Sequence, residues 1–178
     1  MHFRLLAVLT LAACATDPLP VELSTPDVPD AIAVPEGNKV AFVGHAMGVQ
    51  IYECATDPSA SAGWRLRAPR AELFDDHGLL AMHFGGVDFG MPAGPYWESV
   101  RDGSSVHGGN AVSSPNPGNI PLLRLDALDV TGTGIFSDVT FIQRLETVGG
   151  VAPTGACASP QARTEVAYSA DYYFYAPM

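Results

Sequence analysis

Short β-rich runs separated by turn residues recur along most of the chain, and this pattern constrains the fold more than any other feature. In WRLRAP (64–69) and LLAMHF (79–84) apolar and polar residues alternate, which is typical of strands with one buried face. No segment shows a sustained helical period between helix caps. The sequence therefore predicts an all-β fold, a single-domain β-sandwich or flattened β-barrel of roughly nine to ten strands.

Five of these predicted strands lie near the start of the folded region. KVAFVGH (39–45) and GVQIYEC (48–54) are predicted to form a hairpin, with Val49 and Ile51 facing the core. WRLRAP and AELF (71–74) count as separate strands. AELF and LLAMHF flank a turn at 75–78, in which aspartates cap the backbone and Gly78 supplies a left-handed conformation.

The first 13 residues have the features of an export signal. A short cationic lead precedes the apolar stretch 5–13, which is too short to span a bilayer as a helix. Leu11-Ala12-Ala13-Cys14 matches the lipobox of bacterial lipoproteins, in which cleavage precedes a lipid-modified cysteine. This match predicts a signal peptide over 1–13 and an acyl anchor at Cys14, with the outer membrane favoured because Ala15 follows rather than aspartate. The alternative is an ordinary signal peptide with an incidental Cys14.

Composition distinguishes a proline-rich tether from the folded domain and argues against binding to nucleic acid. Residues 14–36 are rich in proline and acids, which predicts an extended tether, and residues 37–178 suffice for one β-domain. The net charge is −10, and Lys39 is the single lysine. Because the chain has no basic run, we predict no nucleic-acid binding.

The three cysteines predict one disulfide. With Cys14 acylated, Cys54 and Cys157 remain as a pair in an oxidising compartment. Their bond would tie the glycine- and proline-rich loop 149–161 to the strand that ends at Cys54. A Cys/His metal site is the alternative, but no histidine lies at ligand spacing, so we predict no metal.

Familiar enzyme and cofactor motifs do not occur in the sequence. GTGIFS (132–137), the nearest approach to a dinucleotide loop, lacks the third glycine and precedes a strand pattern rather than a helix. There is no Gly-x-Ser-x-Gly elbow, His-Glu-x-x-His or Cys-x-x-Cys motif. We therefore predict no cofactor.

Several blocks occur in an order known from one family: VPEGNKVAF (34–42), GVQIYEC, LFDDHG (73–78), IFSDVTFIQRLETVGGVAPTGAC (135–157) and YSADYYFY (168–175). Together they resemble the exported bacterial and fungal proteins of domain of unknown function 3455. The resemblance implies a secreted or lipid-anchored β-domain with no established activity. The chain departs from the family where GGVDFGMPA (85–93) precedes GPYWE (94–98), so a site beside this insertion would differ in specificity.

Seven residues are candidates for catalysis or binding: Asp76, His77, His83, Trp97, Glu98, Asp102 and His107. Strict alternation in LLAMHF places Leu80, Met82 and Phe84 on the core face and His83 on the other. If Glu98 shares that face on a neighbouring strand, it forms an acid–base or metal pair with His83. Structural roles are the alternative for each candidate, such as turn capping for the aspartates and core packing for Trp97.

Two hypotheses about function follow. The favoured one is a non-enzymatic envelope or surface module that binds a small ligand, a glycan or an envelope protein, with Tyr52, Trp97 and Tyr173 as exposed aromatic candidates. The alternative is a metal- or His-dependent hydrolase with a site near His83, Glu98 and His107.

Overall fold

The computed structural model describes residues 23–55, 63–157 and 159–178, so the predicted signal peptide and Cys14 lie outside the described residues. The described residues form eight antiparallel strands, and β8 pairs with β1 to close a barrel. The strands are β1 (Asn38–Cys54), β2 (Trp64–Asp75), β3 (Gly78–Gly85), β4 (Pro95–Ser99), β5 (Ser105–Ser114), β6 (Leu122–Thr131), β7 (Phe141–Gly149) and β8 (Arg163–Pro177). The predicted all-β class is confirmed.

The number of strands is lower than predicted because two pairs of predicted strands are each one continuous strand. The predicted hairpin of 39–54 is wrong, since β1 runs unbroken and pairs with both β2 and β8. Gly48 does not turn the chain but lets β2 approach, because a Cβ there would lie 2.2 Å from the carbonyl oxygen of Arg70. Likewise, β2 continues through Pro69. The predicted turn between β2 and β3 is confirmed, with φ +97° at Gly78.

The inward face of β1 is the opposite of the predicted one. Gln50 and Tyr52 are buried, at 1% and 6% exposure, whereas Val49 and Ile51 are half-buried. The prediction that Val49 and Ile51 face the core is therefore wrong. Polar side chains can face inward here because apolar side chains do not completely fill the interior at this end of the barrel.

Aromatic side chains fill the opposite end of the barrel. Phe174 stacks on Phe42 at a centroid distance of 4.6 Å and meets the edge of Phe136 at 5.1 Å. Phe136 comes from the segment between β6 and β7 and is fully buried. This end is therefore a packed core, as expected for a barrel of eight strands, whose interior is just wide enough for side chains or one small ligand.

Part of the segment predicted as a tether packs on the barrel. Within its described residues, a short 3-10 helix (Asp30–Ile32) buries Ile32 completely. Gln143 Nε2 donates to the carbonyl oxygen of Ile32 at 2.7 Å, and Arg124 Nη1 donates to that of Ala33 at 2.7 Å. Packed structure thus begins before residue 37.

The predicted disulfide is confirmed between Cys54 and Cys157, whose Cα atoms lie 5.7 Å apart. It ties the end of β1 to the loop before β8, where Tyr52 Oη also donates to the carbonyl oxygen of Gly150 at 2.6 Å. A disulfide of this kind is typical of an exported protein. In the described part of the chain, no helix has the length and apolar character needed to cross a membrane.

Candidate functional site

A cavity of about 260 Å³ opens at the end of the barrel where β1 ends and β2 begins. This volume lies just below the usual range for small-molecule sites, about 300–1,000 Å³. Most of its lining is apolar, including Leu66, Ala68, Pro69, Val87, Leu123 and Leu125. The polar lining consists chiefly of Gln50, Arg67, His83, Arg144 and Tyr172, of which Arg67 is paired with Glu53 and Asp88. An apolar cavity with a few polar groups is the usual form of a small-molecule site.

His83 lies inside the barrel, not on its outer face as predicted. Its side chain is 2% exposed and stacks on Trp97, with ring centroids 4.4 Å apart and planes 10° apart. Met82 and Phe84, predicted to face the core, are half-buried on the other face of β3. The predicted faces are therefore wrong for Met82, His83 and Phe84, whereas Leu80 is buried in the core, at 3% exposure, as predicted. The strict alternation fails because a register shift in the pairing of β2 with β3 leaves Leu80 and Ala81 both buried.

A chain of hydrogen bonds fixes the protonation of His83. His83 Nδ1 donates to the carbonyl oxygen of Tyr96 at 2.9 Å, since a carbonyl can only accept. In the neutral ring Nε2 is then an acceptor, and it receives the hydroxyl of Tyr172 at 3.1 Å. Tyr168 Oη lies 3.3 Å from Tyr172 Oη and donates to it. Burial lowers the pKa of His83 to about 3, so the ring is neutral at physiological pH.

Arg144 brings a positive charge to the same cavity. Its position on β7 pairs with Leu123 of β6 and Tyr172 of β8, both of which line the cavity. Burial raises the pKa values of Tyr168 and Tyr172, and the positive charge of Arg144 opposes that rise. The same charge further lowers the pKa of His83. Arg144 therefore makes the electrostatic potential at His83, Tyr168 and Tyr172 more positive.

Trp97 forms part of the cavity wall rather than an exposed platform. It is 1% exposed and lies opposite His83 in the pairing of β3 with β4. Gly108 on β5 makes room for the indole, because a Cβ there would lie 2.9 Å from the Trp97 ring. The alternative of core packing, which the sequence left open for Trp97, is thus the one that the structure shows.

The insertion at 85–93 borders the mouth of the cavity. It contains a short 3-10 helix (Gly86–Phe89), and Val87 and Ala93 line the cavity. Arg67 on β2 anchors it through hydrogen bonds to Asp88 at 2.7 and 2.9 Å and also pairs with Glu53 at 3.1 Å. This segment therefore contributes directly to the shape of the cavity.

The residues of the predicted hydrolase site do not converge. Glu98 is exposed on the outer face, at a position opposite Met82 rather than His83. His107 also lies outside, stacked on Tyr96 at a centroid distance of 4.2 Å, with its Nε2 3.2 Å from the carbonyl oxygen of Ala93. The predicted pairing of His83 with Glu98 on one face is therefore wrong, because the wall of the barrel separates them.

The remaining candidates, Asp76, His77 and Asp102, lie in turns. Asp102 accepts hydrogen bonds from the Ser104 hydroxyl at 2.6 Å, the Ser104 amide at 2.9 Å and the Ile135 amide at 3.1 Å. These bonds lower its pKa to about 2. Asp76 and His77 are exposed at the tip of the turn between β2 and β3. Within the described ranges, no group of three or more His, Cys, Asp or Glu side chains is placed to hold a metal ion.

The polar residues Gln50, Arg144 and Tyr172 were missed because each lies in a run that reads as an ordinary strand. One signal was present in the sequence: FIQRL (141–145) places Arg144 in a strongly apolar strand, where burying an arginine is costly unless its charge is paired. No local pattern, however, indicates that Gln50 and Tyr172 meet Arg144 across the barrel.

Comparison with protein families identifies one match. The model of the family described as "Protein of unknown function (DUF3455)" matches residues 35–176, nearly the whole of the barrel. The searches of curated proteins and of solved structures gave no match.

Proposed function

The chain belongs to the DUF3455 family, whose description assigns no function, and from its own geometry we propose that the barrel binds a small molecule in its cavity without transforming it. The observation that carries this proposal is the cavity itself. It replaces part of a barrel interior that side chains would otherwise fill. Its apolar wall and small polar cluster suit a ligand with an apolar body and one polar group.

Binding is favoured over catalysis by the chemistry of the polar cluster. A general base works best with a pKa near the operating pH, whereas His83 has a pKa of about 3. Its Nε2 is already occupied by the Tyr172 hydroxyl. The cluster is therefore suited to holding a ligand rather than to moving its protons.

A small ligand is also favoured over a glycan or an envelope protein. Of the three aromatic side chains expected at the surface, Tyr52 and Trp97 are buried and only Tyr173 is partly exposed. Protein partners are recognised at exposed surfaces, whereas Trp97 is buried in the wall of the cavity. The aromatic residues thus support a ligand inside the barrel.

We also propose that the barrel is exported and held at the cell envelope, with the outer membrane favoured, by an acylated Cys14. The lipobox at 11–14 supports this proposal. The disulfide supports it too, because it pairs the other two cysteines and leaves Cys14 as the third.

A cavity-filling variant tests the binding function. The purified chain would be screened by thermal shift against a library of small amphipathic compounds, and each hit would be confirmed by quenching of tryptophan fluorescence. Leu123→Trp fills the cavity, and Leu128→Trp makes the same change at an exposed position of β6. We expect hits that Leu123→Trp abolishes and Leu128→Trp retains. The proposal is wrong if no compound binds, or if the hits bind equally well to both variants.

A further inference from the structure

Arg144 is a buried cation without a counterion among the described residues. It is 7% exposed, and its Nε and Nη2 both donate to the carbonyl oxygen of Pro121, at 3.3 and 2.8 Å. Four more exposed arginines do pair with carboxylates: Arg67, Arg70, Arg101 and Arg163. A charge removed from water is costly unless it is paired, so an arginine in this position favours an anion that reaches it from the cavity.

Two further donors of the cavity lining have no partner in the described part of the protein. They are Gln50 Nε2 and Trp97 Nε1, both on side chains that are 1% exposed. Gln50 and Trp97 line the same cavity as Arg144. Buried donors are normally satisfied, so unpartnered ones in a cavity wall point to a ligand that supplies acceptors.

Two acceptors of the polar cluster, on His83 and Tyr172, are already occupied. Nε2 of His83 receives the Tyr172 hydroxyl, and the Tyr172 oxygen receives the hydroxyl of Tyr168. A ligand that offered a cationic or donor-rich group would therefore meet donors and a positive charge. The complement of this cluster is an acceptor-rich group with negative charge.

From these contacts, and resting on the proposed binding function, we infer that the ligand is a small monocarboxylic acid with an apolar body. Its carboxylate binds Arg144 and accepts hydrogen bonds from the donors of Gln50 and Trp97. The guanidinium fork of an arginine matches a carboxylate bidentately. One cation balances one negative charge, which favours a carboxylate over a doubly charged phosphate monoester. The apolar body contacts Leu123, Leu125 and Pro69.

A headgroup series tests the inference in the unaltered protein. Hexanoate, hexan-1-ol and hexylamine have the same apolar body and differ only in the polar end. Titrations by calorimetry at neutral pH would give the three dissociation constants. We expect hexanoate to bind about 10- to 100-fold more tightly than hexan-1-ol, since a hydrogen bond to a charged group has about that effect, and hexylamine not to bind.

A matched pair of variants then tests whether Arg144 supplies the positive charge that binds the carboxylate. Arg144→Met should reduce hexanoate binding to the level of hexan-1-ol and leave hexan-1-ol binding unchanged. Arg70→Met, a change at an exposed arginine, should leave both unchanged. Arg144→Met should also fold, because removing an unpaired buried charge does not destabilise a protein as removing one partner of a pair does. If it does not fold, the headgroup series alone decides.

The possible outcomes separate the two proposals. If hexan-1-ol binds as tightly as hexanoate, the carboxylate inference is overturned while binding in the cavity stands. The same conclusion follows if Arg144→Met folds and retains full hexanoate affinity. If none of the three probes binds and the library screen also gives no hit that depends on Leu123, both proposals fail.

Discussion

His83 illustrates how the interior of the barrel determines the chemistry of a single residue. In the sequence it is a histidine between apolar neighbours, and alternation assigned it to the outer face. In the barrel it is stacked on Trp97 and hydrogen-bonded at both ring nitrogens. These contacts suit the neutral ring, and burial opposes the charged form.

This neutral histidine predicts a loss of stability in mild acid. The pKa is 6.5 when the chain is unfolded and about 3 when it is folded, so between these values only the unfolded chain binds the proton. The stabilisation that depends on neutral His83 is therefore complete above pH 6.5 and is lost progressively as the pH falls below 6.5. From pH 7 to pH 5 this loss is about 2 kcal/mol, since each pH unit below 6.5 costs about 1.4 kcal/mol.

Urea unfolding at pH 7 and pH 5 measures the effect. His83→Gln, which keeps a donor and an acceptor but does not titrate, should remove about 2 kcal/mol of the pH dependence. His77→Gln, at the exposed turn, should keep the dependence of the unaltered protein. Equal pH dependence in His83→Gln and the unaltered chain would contradict the assignment.

At the scale of elements, β1 shows why a pattern of alternation can be assigned to the wrong face. Along 49–52 both sets of side chains include residues that suit a buried face, so the sequence does not say which set is inside. The pairing with β2 and β8 turns Gln50 and Tyr52 inward. Val49 and Ile51 are half-buried on the other side. A strand of a barrel with a polar cavity cannot be oriented by hydrophobicity alone.

The disulfide between the end of β1 and the loop before β8 yields a second prediction. It joins residues 103 positions apart, and closing a loop of this size stabilises a fold by about 4–5 kcal/mol in the chain-entropy model. Cys54→Ala and Cys157→Ala should each lower the free energy of unfolding by several kcal/mol. The double variant should lose no more than either single one, because all three lack the same bond. Chemical denaturation measures all four proteins, and additive losses would show that the two cysteines act independently.

At the scale of the whole molecule, the barrel combines an acidic exterior with a cationic interior. The net charge is −10, whereas the cavity contains Arg144. An acidic surface keeps an exported protein soluble. It also repels anions at long range, so recognition of a carboxylate depends on the short-range contacts within the cavity.

The proposed anchor yields a prediction about the whole protein. Cys14→Ser should abolish acylation and release or misprocess the chain, because no acyl chain would then hold it at the membrane. Fractionation of the native host followed by mass spectrometry of the mature N-terminus measures both effects. Cys157→Ala is a matched control that removes a cysteine without removing the lipobox and should leave acylation intact. An unmodified mature N-terminus in the membrane fraction would contradict the anchor.

The sequence by itself determined the features that depend on local chemistry. The two-residue period of the strands specified the all-β class, and the residues around Gly78 specified their turn. The count of cysteines predicted the disulfide, since the proposed acylation of Cys14 leaves two. The insertion at 85–93 borders the cavity, and its effect on specificity stays a prediction. Each of these depends on neighbouring residues or on a count.

Only the tertiary structure decided which side chains face inward and which of them meet. The period of a strand does not fix its phase, and the phase depends on pairing with strands that are distant in sequence. Closure of β8 onto β1 brings Gln50, His83, Arg144 and Tyr172 from four strands around one cavity. The same closure places Glu98 and His107 outside the wall. The candidate site could not be read from the sequence because its polar residues share a space rather than a segment.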